Sequence, residues 1–381
     1  TDIIVVGAGL VGLTAAIVCA KLGKKVIVVD AQITAIQKQQ AWDARIYALT
    51  ANAESWLQAL GVWDEVDVSR VNIISGMQLW DVQDNKLALY DHDANLDKLG
   101  VIIENQNLMY ALSQQLGTLG VMVISGVECV SLQNAQQHIN LGLADGRNIS
   151  ANLIIAADGA DSWVRSHANI AVKHKDFSQT AIVANFLADN HHANIARQWF
   201  GPHETLALLP MPKQHVSMVW ALSTEQAAEL LTLSSEALAA SVQARSQNEL
   251  GGLRMVGKVL SFSLRQQTAA QLIAERVVLV GDAAHQVHPM AGQGMNLGLR
   301  DVRQLQEMLT NTHAMQDIGE QAFLRKYARA RQADIATMNT LTSGLDTLFA
   351  NDSIVIKKLT GWGFKQLNHR ETLKKLLIQQ V

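Results

Sequence analysis

Three glycines near the start of the chain have the spacing of a phosphate-binding turn. Gly7, Gly9 and Gly12 follow an apolar run at residues 3–6, which we predict to be a buried strand. They begin a predicted helix, residues 10–22. The first glycine permits a tight turn, the second lets backbone approach a pyrophosphate, and the third lets the helix pack on the strand. Free N–H groups at the helix start would attract the phosphates of a dinucleotide.

An acidic side chain follows the next predicted strand, where a ribose would lie. This strand covers residues 25–29, and Asp30 comes directly after it. A carboxylate about 20 residues beyond the glycines accepts hydrogen bonds from ribose hydroxyls in dinucleotide-binding folds. Strand, helix, strand and acid in this order predict a dinucleotide site. The alternative is a glycine-rich turn that binds nothing.

A second motif, far along the chain, fits the other half of a flavin dinucleotide. Asp282 follows a strand predicted for residues 277–280, at the end where ligands bind in open α/β sheets. Its carboxylate could accept hydrogen bonds from ribitol. Residues 292–296 open a helix predicted for residues 297–309, whose N-terminus would stabilise the negative charge of a reduced flavin. A nicotinamide dehydrogenase needs only the first site, so the pair predicts bound FAD. The alternative for the second motif is a functionless helix-capping loop.

A third motif stands at the end of a strand predicted for residues 152–156. Asp158 and Gly159 follow that strand and by themselves would indicate an ordinary turn. Arg165, three residues after Ser162, adds a basic group that could bind phosphate or carboxylate.

Composition limits the class of protein. The chain has 381 residues, of which 49% are hydrophobic and 17% charged, so it is globular and long enough for two domains. A net charge of −3 gives no reason to expect nucleic-acid binding. Cys19 and Cys129 are expected to be buried thiols in a reducing compartment, and no His/Cys cluster indicates a metal site. No run of 18 apolar residues predicts a membrane span. The chain starts on a strand without a signal sequence, so we expect a cytoplasmic protein.

The middle of the chain has a different residue pattern. Short strand-like runs separated by turn residues, interrupted by a predicted helical stretch at 224–250, indicate an antiparallel sheet inserted into the first domain. Residues 44–60 are predicted to be mostly helical.

The predicted fold class is α/β: a Rossmann-like FAD-binding domain, an inserted antiparallel-sheet substrate domain and a helical C-terminal region. The predicted bounds are 1–72, 97–179 and 264–335 for the FAD-binding domain, 73–96 and 180–263 for the substrate domain, and 336–381 for the C-terminal region.

In this order the three motifs resemble the class A flavoprotein aromatic hydroxylases, which have the 4-hydroxybenzoate hydroxylase fold. Within that family, residues 42–49, 60–63, 103–106 and 288–298 look like the ubiquinone-biosynthesis hydroxylases. The resemblance covers nearly the whole chain, including residues 346–349 near its end. The segments around Asp43-Ala44-Arg45 and 290–294 are its most specific parts.

The resemblance implies which residues contact FAD. The implied set is Gly7, Gly9, Gly12, Asp30, Arg45, Gln106, Asp158, Asp282, Pro289, Gly292, Gly294, Met295 and Asn296. Within it, Asp158 would lie near the pyrophosphate and a transient NAD(P)H site. Asp30 stands where relatives often have the longer glutamate. No catalytic side chain is assigned, because the flavin carries the chemistry.

The implied reaction is hydroxylation of a phenol ring. NAD(P)H would reduce FAD, and O2 would give a flavin C4a-hydroperoxide that transfers OH to a polyprenylated ubiquinone precursor. Phe200, Met218 and Trp220 could line an apolar substrate cleft, although ordinary core packing explains them equally well. His288 could face the substrate, with a structural role in the flavin loop as the alternative.

Two other functions remain open from the sequence. One is a flavin hydroxylase of another apolar aromatic compound, and the other is a non-catalytic flavin-binding scaffold in a biosynthetic complex. The last 31 residues carry six Lys or Arg against two acids, with leucines at helical spacing. This tail could contact an anionic inner-membrane surface or a partner protein, or its leucines could pack on the protein's own core.

Overall fold

The computed structural model describes residues 1–32, 36–38, 41–286, 293–313, 316–350 and 354–380. Within them the strands are β1 (Ile3–Val6), β2 (Val26–Asp30), β3 (Ile46–Thr50), β4 (Asn72–Ile74), β5 (Gly76–Trp80), β6 (Lys86–Tyr90), β7 (Gly100–Glu104), β8 (Met122–Ser125), β9 (Cys129–Ala135), β10 (His138–Leu143), β11 (Asn148–Ala151), β12 (Leu153–Ala156), β13 (Val172–Ala188), β14 (Ile195–Gly201), β15 (Glu204–Pro210), β16 (His215–Ser223), β17 (Leu253–Ala269), β18 (Ile273–Ala274), β19 (Val277–Leu279) and β20 (His285–Gln286).

The α-helices are α1 (Leu10–Lys21), α2 (Ala51–Ala59), α3 (Asn105–Thr118), α4 (Trp163–His167), α5 (Thr224–Leu231), α6 (Ser235–Arg245), α7 (Gln293–Thr310), α8 (Gln321–Ala350), α9 (Ile354–Asn368) and α10 (Glu371–Gln380). Short 3-10 turns lie at Trp63–Glu65, Val68–Arg70, Asp91–Ala94 and Gly281–Ala283.

Six strands form a mostly parallel sheet in the order β18-β19-β12-β1-β2-β8. β1 lies between β12 and β2 and is parallel to both, while β18 is antiparallel to its neighbour β19. Every residue of β1 and β12 is buried, as expected where helices cover both faces of a parallel sheet. The predicted Rossmann-like domain is confirmed, and β1, β12 and β19 all end at the edge where the three motifs begin.

A second sheet has eight strands in the order β20-β17-β13-β16-β15-β14-β5-β6. Its pairings are antiparallel except for β14 with β5, so the predicted antiparallel insertion is confirmed. Side chains alternate between two faces. One face, which we call the helix face, packs against α5 and α6 through residues such as Ile182, Phe186 and Leu206. The other, the nucleotide face, includes Asn185, whose side chain contacts the backbone of Asp43.

Two of the predicted helices are wrong in part. Residues 44–60 contain strand β3 before helix α2, because Ile46–Thr50 pairs with β7 in a small sheet of order β3-β7-β4. Tertiary pairing here overrides local propensity. The stretch 224–250 is divided into α5 and α6, because the Ser234 hydroxyl accepts a hydrogen bond from the N–H of Ala237 and starts a new helix.

The predicted domain bounds remain a prediction. Strands β13 and β17, each 17 residues long, pair with each other and run across the predicted bounds at 179/180 and 263/264. These two strands therefore form a continuous β-ribbon that crosses both predicted bounds within the eight-stranded sheet.

The C-terminal helices pack on the outer hairpin of the second sheet. The Asn368 amide donates to the carbonyl of Lys86 (2.6 Å) and accepts from the N–H of Ala88 (3.0 Å), so it occupies the edge of β6. Phe364 and Ile378 join a buried cluster with Leu87, Leu89, Ala94 and Phe200. In the part of the chain that the structure describes, no helix has the length and hydropathy needed to cross a membrane.

Candidate active site

The glycine turn after β1 is shaped by close backbone contacts. Gly7 has φ of +104°, and a Cβ there would lie 2.3 Å from the carbonyl oxygen of Ala157. A Cβ on Gly12 would lie 2.0 Å from the carbonyl oxygen of Gly7. Gly9, by contrast, is exposed and faces open space. The first and third glycines are therefore required by packing, and the second leaves room for a ligand.

Asp30 connects the end of β2 to the glycine turn. One carboxylate oxygen accepts from the N–H of Ala8 (2.5 Å), and the other accepts from the N–H of Gln32 (2.7 Å). Each oxygen has a second lone pair. The geometry permits the predicted ribose contact, which stays a prediction.

Asp158 holds its own loop together. Its carboxylate accepts from the Ser162 hydroxyl (2.5 Å) and from the N–H of Val164 (3.0 Å). Burial raises the pKa of Asp158, although these two hydrogen bonds oppose the rise. The side chain stabilises the turn that follows β12, and its predicted position near the pyrophosphate remains untested.

Arg165 does not have the role suggested by its sequence position. Its guanidinium is buried and donates to the carbonyls of Ala283 (2.9 Å) and Ala160 (2.7 Å) rather than standing free for a phosphate. Burial lowers its pKa, and nearby Asp158 opposes that effect. Arg165 therefore ties the third motif to the second.

Asp282 lies in the 3-10 turn that follows β19. Its side chain is open to solvent. Nevertheless, the protein packed around it raises the pKa of its carboxyl, against the opposing effect of His285 and Arg265. An accessible carboxylate can accept hydrogen bonds from a polyhydroxyl ligand such as ribitol.

A buried ion network lies beneath Asp282, and sequence reasoning missed it. The Asp301 carboxylate contacts His285 Nε2 (2.6 Å), the N–H of Gly281 (2.9 Å) and Arg331 Nε (2.7 Å). Burial would raise the pKa of Asp301, but His285, Arg331 and the Gly281 N–H together hold it below the ordinary value. The available signal was an acidic residue on the apolar side of α7, four residues from the buried Leu297 and Leu305.

Helix α7 begins earlier than predicted, at Gln293, so Gly294, Met295 and Asn296 lie in its first turn. First-turn N–H groups have no partner within a helix and can face a ligand. The Asn296 amide donates to the carbonyl of Ala48 (2.8 Å) and accepts from the N–H of Thr50 (3.2 Å), which fixes the helix start against β3. Its predicted FAD contact remains a prediction. Pro289, Gly292 and the substrate candidate His288 lie outside the described residues.

Asp43 organises Arg45 and Gln106. Its two carboxylate oxygens accept from the N–H of Arg45 (3.0 Å) and the N–H of Gln106 (3.2 Å). The Arg45 guanidinium lies 5.3 Å from the ring centre of Phe262, on the second sheet. Burial raises the pKa of nearby Tyr47 to about 12, with Arg45 opposing and Asp282 adding to the rise. The charges of Arg45 and Asp282 thus both act on Tyr47, and both residues belong to the FAD set that the resemblance implies.

The three apolar substrate candidates separate in the structure. Met218 and Trp220 are buried in the helix-face core, so their position matches the core-packing alternative. Phe200 alternates to the opposite face and packs with Phe364 of α9. The sequence could not distinguish these outcomes, because both faces of this sheet are covered.

The donors and acceptors present fit FAD. An open glycine turn, first-turn N–H groups of two helices and an accessible carboxylate lie at adjoining strand ends. The first two features suit a pyrophosphate and an anionic ring edge, and the carboxylate suits hydroxyls.

Comparison with known proteins gives the same assignment. The family described as "FAD binding domain" matches residues 1–341. The chain belongs to this family. It is 32% identical to the ubiquinone hydroxylase UbiL of Rhodospirillum rubrum, covering 100% of this chain and 89% of that protein. It is 31% identical to the 3-demethoxyubiquinol 3-hydroxylase of Escherichia coli, covering 93% and 90%. The chain is therefore an FAD-dependent aromatic hydroxylase of the ubiquinone-biosynthesis subgroup.

Solved structures confirm the fold. The p-nitrophenol 4-monooxygenase PnpA of Pseudomonas putida superposes with a TM-score of 0.80 at 17% identity, covering 99% of this chain and 96% of that one. HpxO of Klebsiella pneumoniae, in complex with FAD and uric acid, has a TM-score of 0.76 at 17% identity, covering 100% and 96%. At these identities the likeness concerns the fold alone.

Proposed function

We propose that this protein hydroxylates the aromatic ring of a polyprenylated ubiquinone precursor, using NAD(P)H and O2 as co-substrates. The proposal rests chiefly on one observation. The relatives at 31–32% identity that align over nearly the whole chain are named as ubiquinone-pathway hydroxylases. The arrangement of Asp30, Asp282 and the start of α7 around the strand ends supports it.

The residues of the chain bind and orient the reactants. FAD, when bound, supplies redox chemistry that takes electrons from NAD(P)H and delivers one oxygen atom from O2 to the ring. The glycine turn and Asp30 would hold its adenosine half, and Asp282 its ribitol. First-turn N–H groups of α7 would stabilise negative charge at its ring edge. The nucleotide face of the second sheet would cover the reacting ring and exclude water.

Turnover of purified protein tests the activity. FAD-loaded protein should oxidise NAD(P)H faster when a prenylated phenol is added, and label from 18O2 should appear in the product. Asp282→Ala should lose flavin and activity together. Asp145→Ala, in an exposed turn, is a matched control that should keep both. Tight FAD binding without phenol-dependent NAD(P)H oxidation would instead support the scaffold alternative.

Comparison of substrates tests the pathway. We expect a prenylated phenol to give a higher kcat/KM than the same phenol without its tail, because each buried CH2 contributes about 0.8 kcal/mol. Equal values for the two compounds would favour a hydroxylase of another aromatic substrate.

We also propose that α9 and α10 contact an anionic membrane surface, which would place the protein at the periphery of the inner membrane. Trp362 is 62% exposed, and Leu373 and Leu377 are also exposed, although Phe364 and Ile378 of the same helices are buried. Exposed basic side chains lie on these helices and in the turn between them: Lys358, Lys365, Arg370 and Lys375. Lys374 instead pairs with Asp93 at 3.3 Å. Exposed tryptophan, leucine and lysine together suit a lipid interface.

Co-sedimentation with phosphatidylglycerol vesicles tests the membrane contact. A Lys358/Lys365/Lys375→Glu variant should bind much less than the parent protein at low salt, since each basic residue contributes about 1 kcal/mol near such a surface. Replacing the exposed Lys173, Lys213 and Lys258, which lie outside these helices, is the charge-matched control. Equal sedimentation of parent and tail variant would refute lipid binding and leave a protein partner for the tail.

A further inference from the structure

Two buried polar side chains, Asn185 and Ser217, face each other on the nucleotide face of the second sheet. They are direct cross-strand partners on the antiparallel strands β13 and β16. Asn185 is 1% exposed and Ser217 is fully buried. Cross-strand partners on one face have their Cβ atoms about 4.5–5.5 Å apart, so one small group can reach both.

The orientation of the Asn185 amide is fixed. Its Nδ2 donates to the backbone carbonyl of Asp43 at 2.8 Å. A carbonyl only accepts hydrogen bonds, so the NH2 group must point at Asp43 and Oδ1 must point elsewhere. Because Asp43 also orients Arg45, this bond places Asn185 at the junction between the sheet and the flavin-side segment.

Each residue of the pair has an unused polar atom. Among the described residues, neither Asn185 Oδ1 nor Ser217 Oγ has a hydrogen-bond partner. Buried polar atoms without partners are rare in folded proteins, because leaving water is unfavourable unless a new hydrogen bond forms. Together the two atoms offer one acceptor and one hydroxyl that can donate.

The neighbouring positions on the same face are small or apolar. Val183 pairs with Val219, and Ala181 with Ala221, along the same two strands. Ala181, Val183 and Ala221 are buried, whereas Val219, two residues from Ser217, is only half-buried and is reached by solvent. A flat apolar ring could lie on this surface with a polar substituent at the Asn185–Ser217 end.

We propose that Asn185 and Ser217 recognise a phenolic hydroxyl of the substrate. The phenol O–H donates to Asn185 Oδ1, and its oxygen accepts from the Ser217 hydroxyl. This deepens the hydroxylase function proposed above and rests on it for the aromatic substrate. Because Asn185 Oδ1 can only accept a hydrogen bond, the pair requires the O–H of a neutral phenol rather than a phenolate. A buried site built to hydrogen-bond a hydroxyl discriminates strongly against an analogue without it, because its own polar atoms then stay unpaired.

Equilibrium binding separates this inference from the catalytic proposal. The FAD-loaded protein would be titrated, without NAD(P)H, with a prenylated phenol and with its methyl ether, which cannot donate a hydrogen bond. The parent protein should prefer the phenol by about tenfold to hundredfold. In Ser217→Ala, which removes one oxygen atom, the preference should fall to within a few-fold. Asn185→Leu should behave likewise.

Controls distinguish recognition from damage. Ser246→Ala removes another buried serine hydroxyl, at the end of α6, and should leave the preference unchanged. FAD affinity should be unaltered in Ser217→Ala. If FAD affinity falls while the phenol-to-ether ratio stays as in the parent protein, the pair belongs to the cofactor site and the inference is wrong. An unchanged ratio with normal FAD affinity also overturns it. If the phenol binds in a Ser217-dependent way but is never hydroxylated, the recognition site stands and the proposed hydroxylase function fails.

Discussion

Replacing Asp301 by alanine should destabilise the folded protein by about 3–5 kcal/mol, the cost of breaking a buried ion pair. Asp301 is fully buried, and its carboxylate accepts hydrogen bonds from Gly281, His285 and Arg331. Without it, the N–H of Gly281 loses its acceptor and two buried side chains lose their common partner. Among the described residues, Arg331 keeps its contacts with Asp334 and the Leu297 carbonyl.

Asp334 provides the matched control for the charge. It contacts the same arginine, Arg331, and also Arg300 at 2.9 Å, but its side chain is partly exposed. Exposed ion pairs contribute about 0–1 kcal/mol, so Asp334→Ala should cost far less than Asp301→Ala. Urea unfolding of both variants, with and without FAD, measures the difference. Equal losses of unfolding free energy would show that burial does not govern how much the Asp301 network contributes to stability.

The contribution of Asp301 to folding stability should depend on pH in a defined direction. Its pKa is lowered in the folded protein, so the unfolded chain takes up a proton first as the pH falls. The contribution of Asp301 is therefore fully present above its unfolded pKa of about 4 and is lost as the pH drops toward the folded value. The stability gap between the parent protein and Asp301→Asn should narrow below about pH 4. A gap that widens in acid would contradict this reasoning.

Two further predictions concern the cofactor motifs. Asp282→Ala should weaken FAD binding about tenfold to hundredfold. Asp158→Ala should mainly reduce stability, because the Asp158 carboxylate is bonded within its own loop. Flavin titration and thermal unfolding separate the two effects, and full flavin retention by Asp282→Ala after dialysis would contradict the assignment. Gly12→Ala should impair folding, since the new Cβ would lie 2.0 Å from a backbone atom, while Gly9→Ala should fold normally and bind FAD poorly. Circular dichroism and flavin content test these two variants. Normal folding of Gly12→Ala would refute the packing argument.

The nucleotide domain could be predicted from sequence because its signals are local. The strand, glycine turn, helix and Asp30 follow one another directly, and β1, α1 and β2 lie within one residue of their predicted bounds. Asp282 was found for the same reason, since it follows a buried strand. Strand β3 was missed because residues 46–50 carry no local signal for pairing with β7, which comes some fifty residues later in the sequence.

Side-chain roles in the second sheet could not be predicted, because alternation identifies two faces but not what covers each. Met218 and Trp220 share one face and Ser217 lies on the other. Where only one face of a sheet is buried, the apolar set marks the core. Here α5 and α6 cover one face, while Asp43 and Phe364 of α9 contact the other. The buried Ser217, which lies between Val216 and Met218 in the sequence, therefore carries the more useful functional information.

Long-range polar contacts explain how motifs so distant in sequence can form one site. The Arg165 guanidinium binds the Ala283 carbonyl, the Asn296 amide binds β3, and Asn185 binds the Asp43 carbonyl. In each case a polar side chain satisfies backbone groups of a segment that is distant in the sequence. Asp282 differs, because its carboxylate remains accessible to solvent beside this framework. A site whose ligand-binding groups are held by other residues needs little rearrangement on binding. This division of roles is the physical reason to expect Asp282 variants to lose flavin, and Asp301 variants to lose stability first.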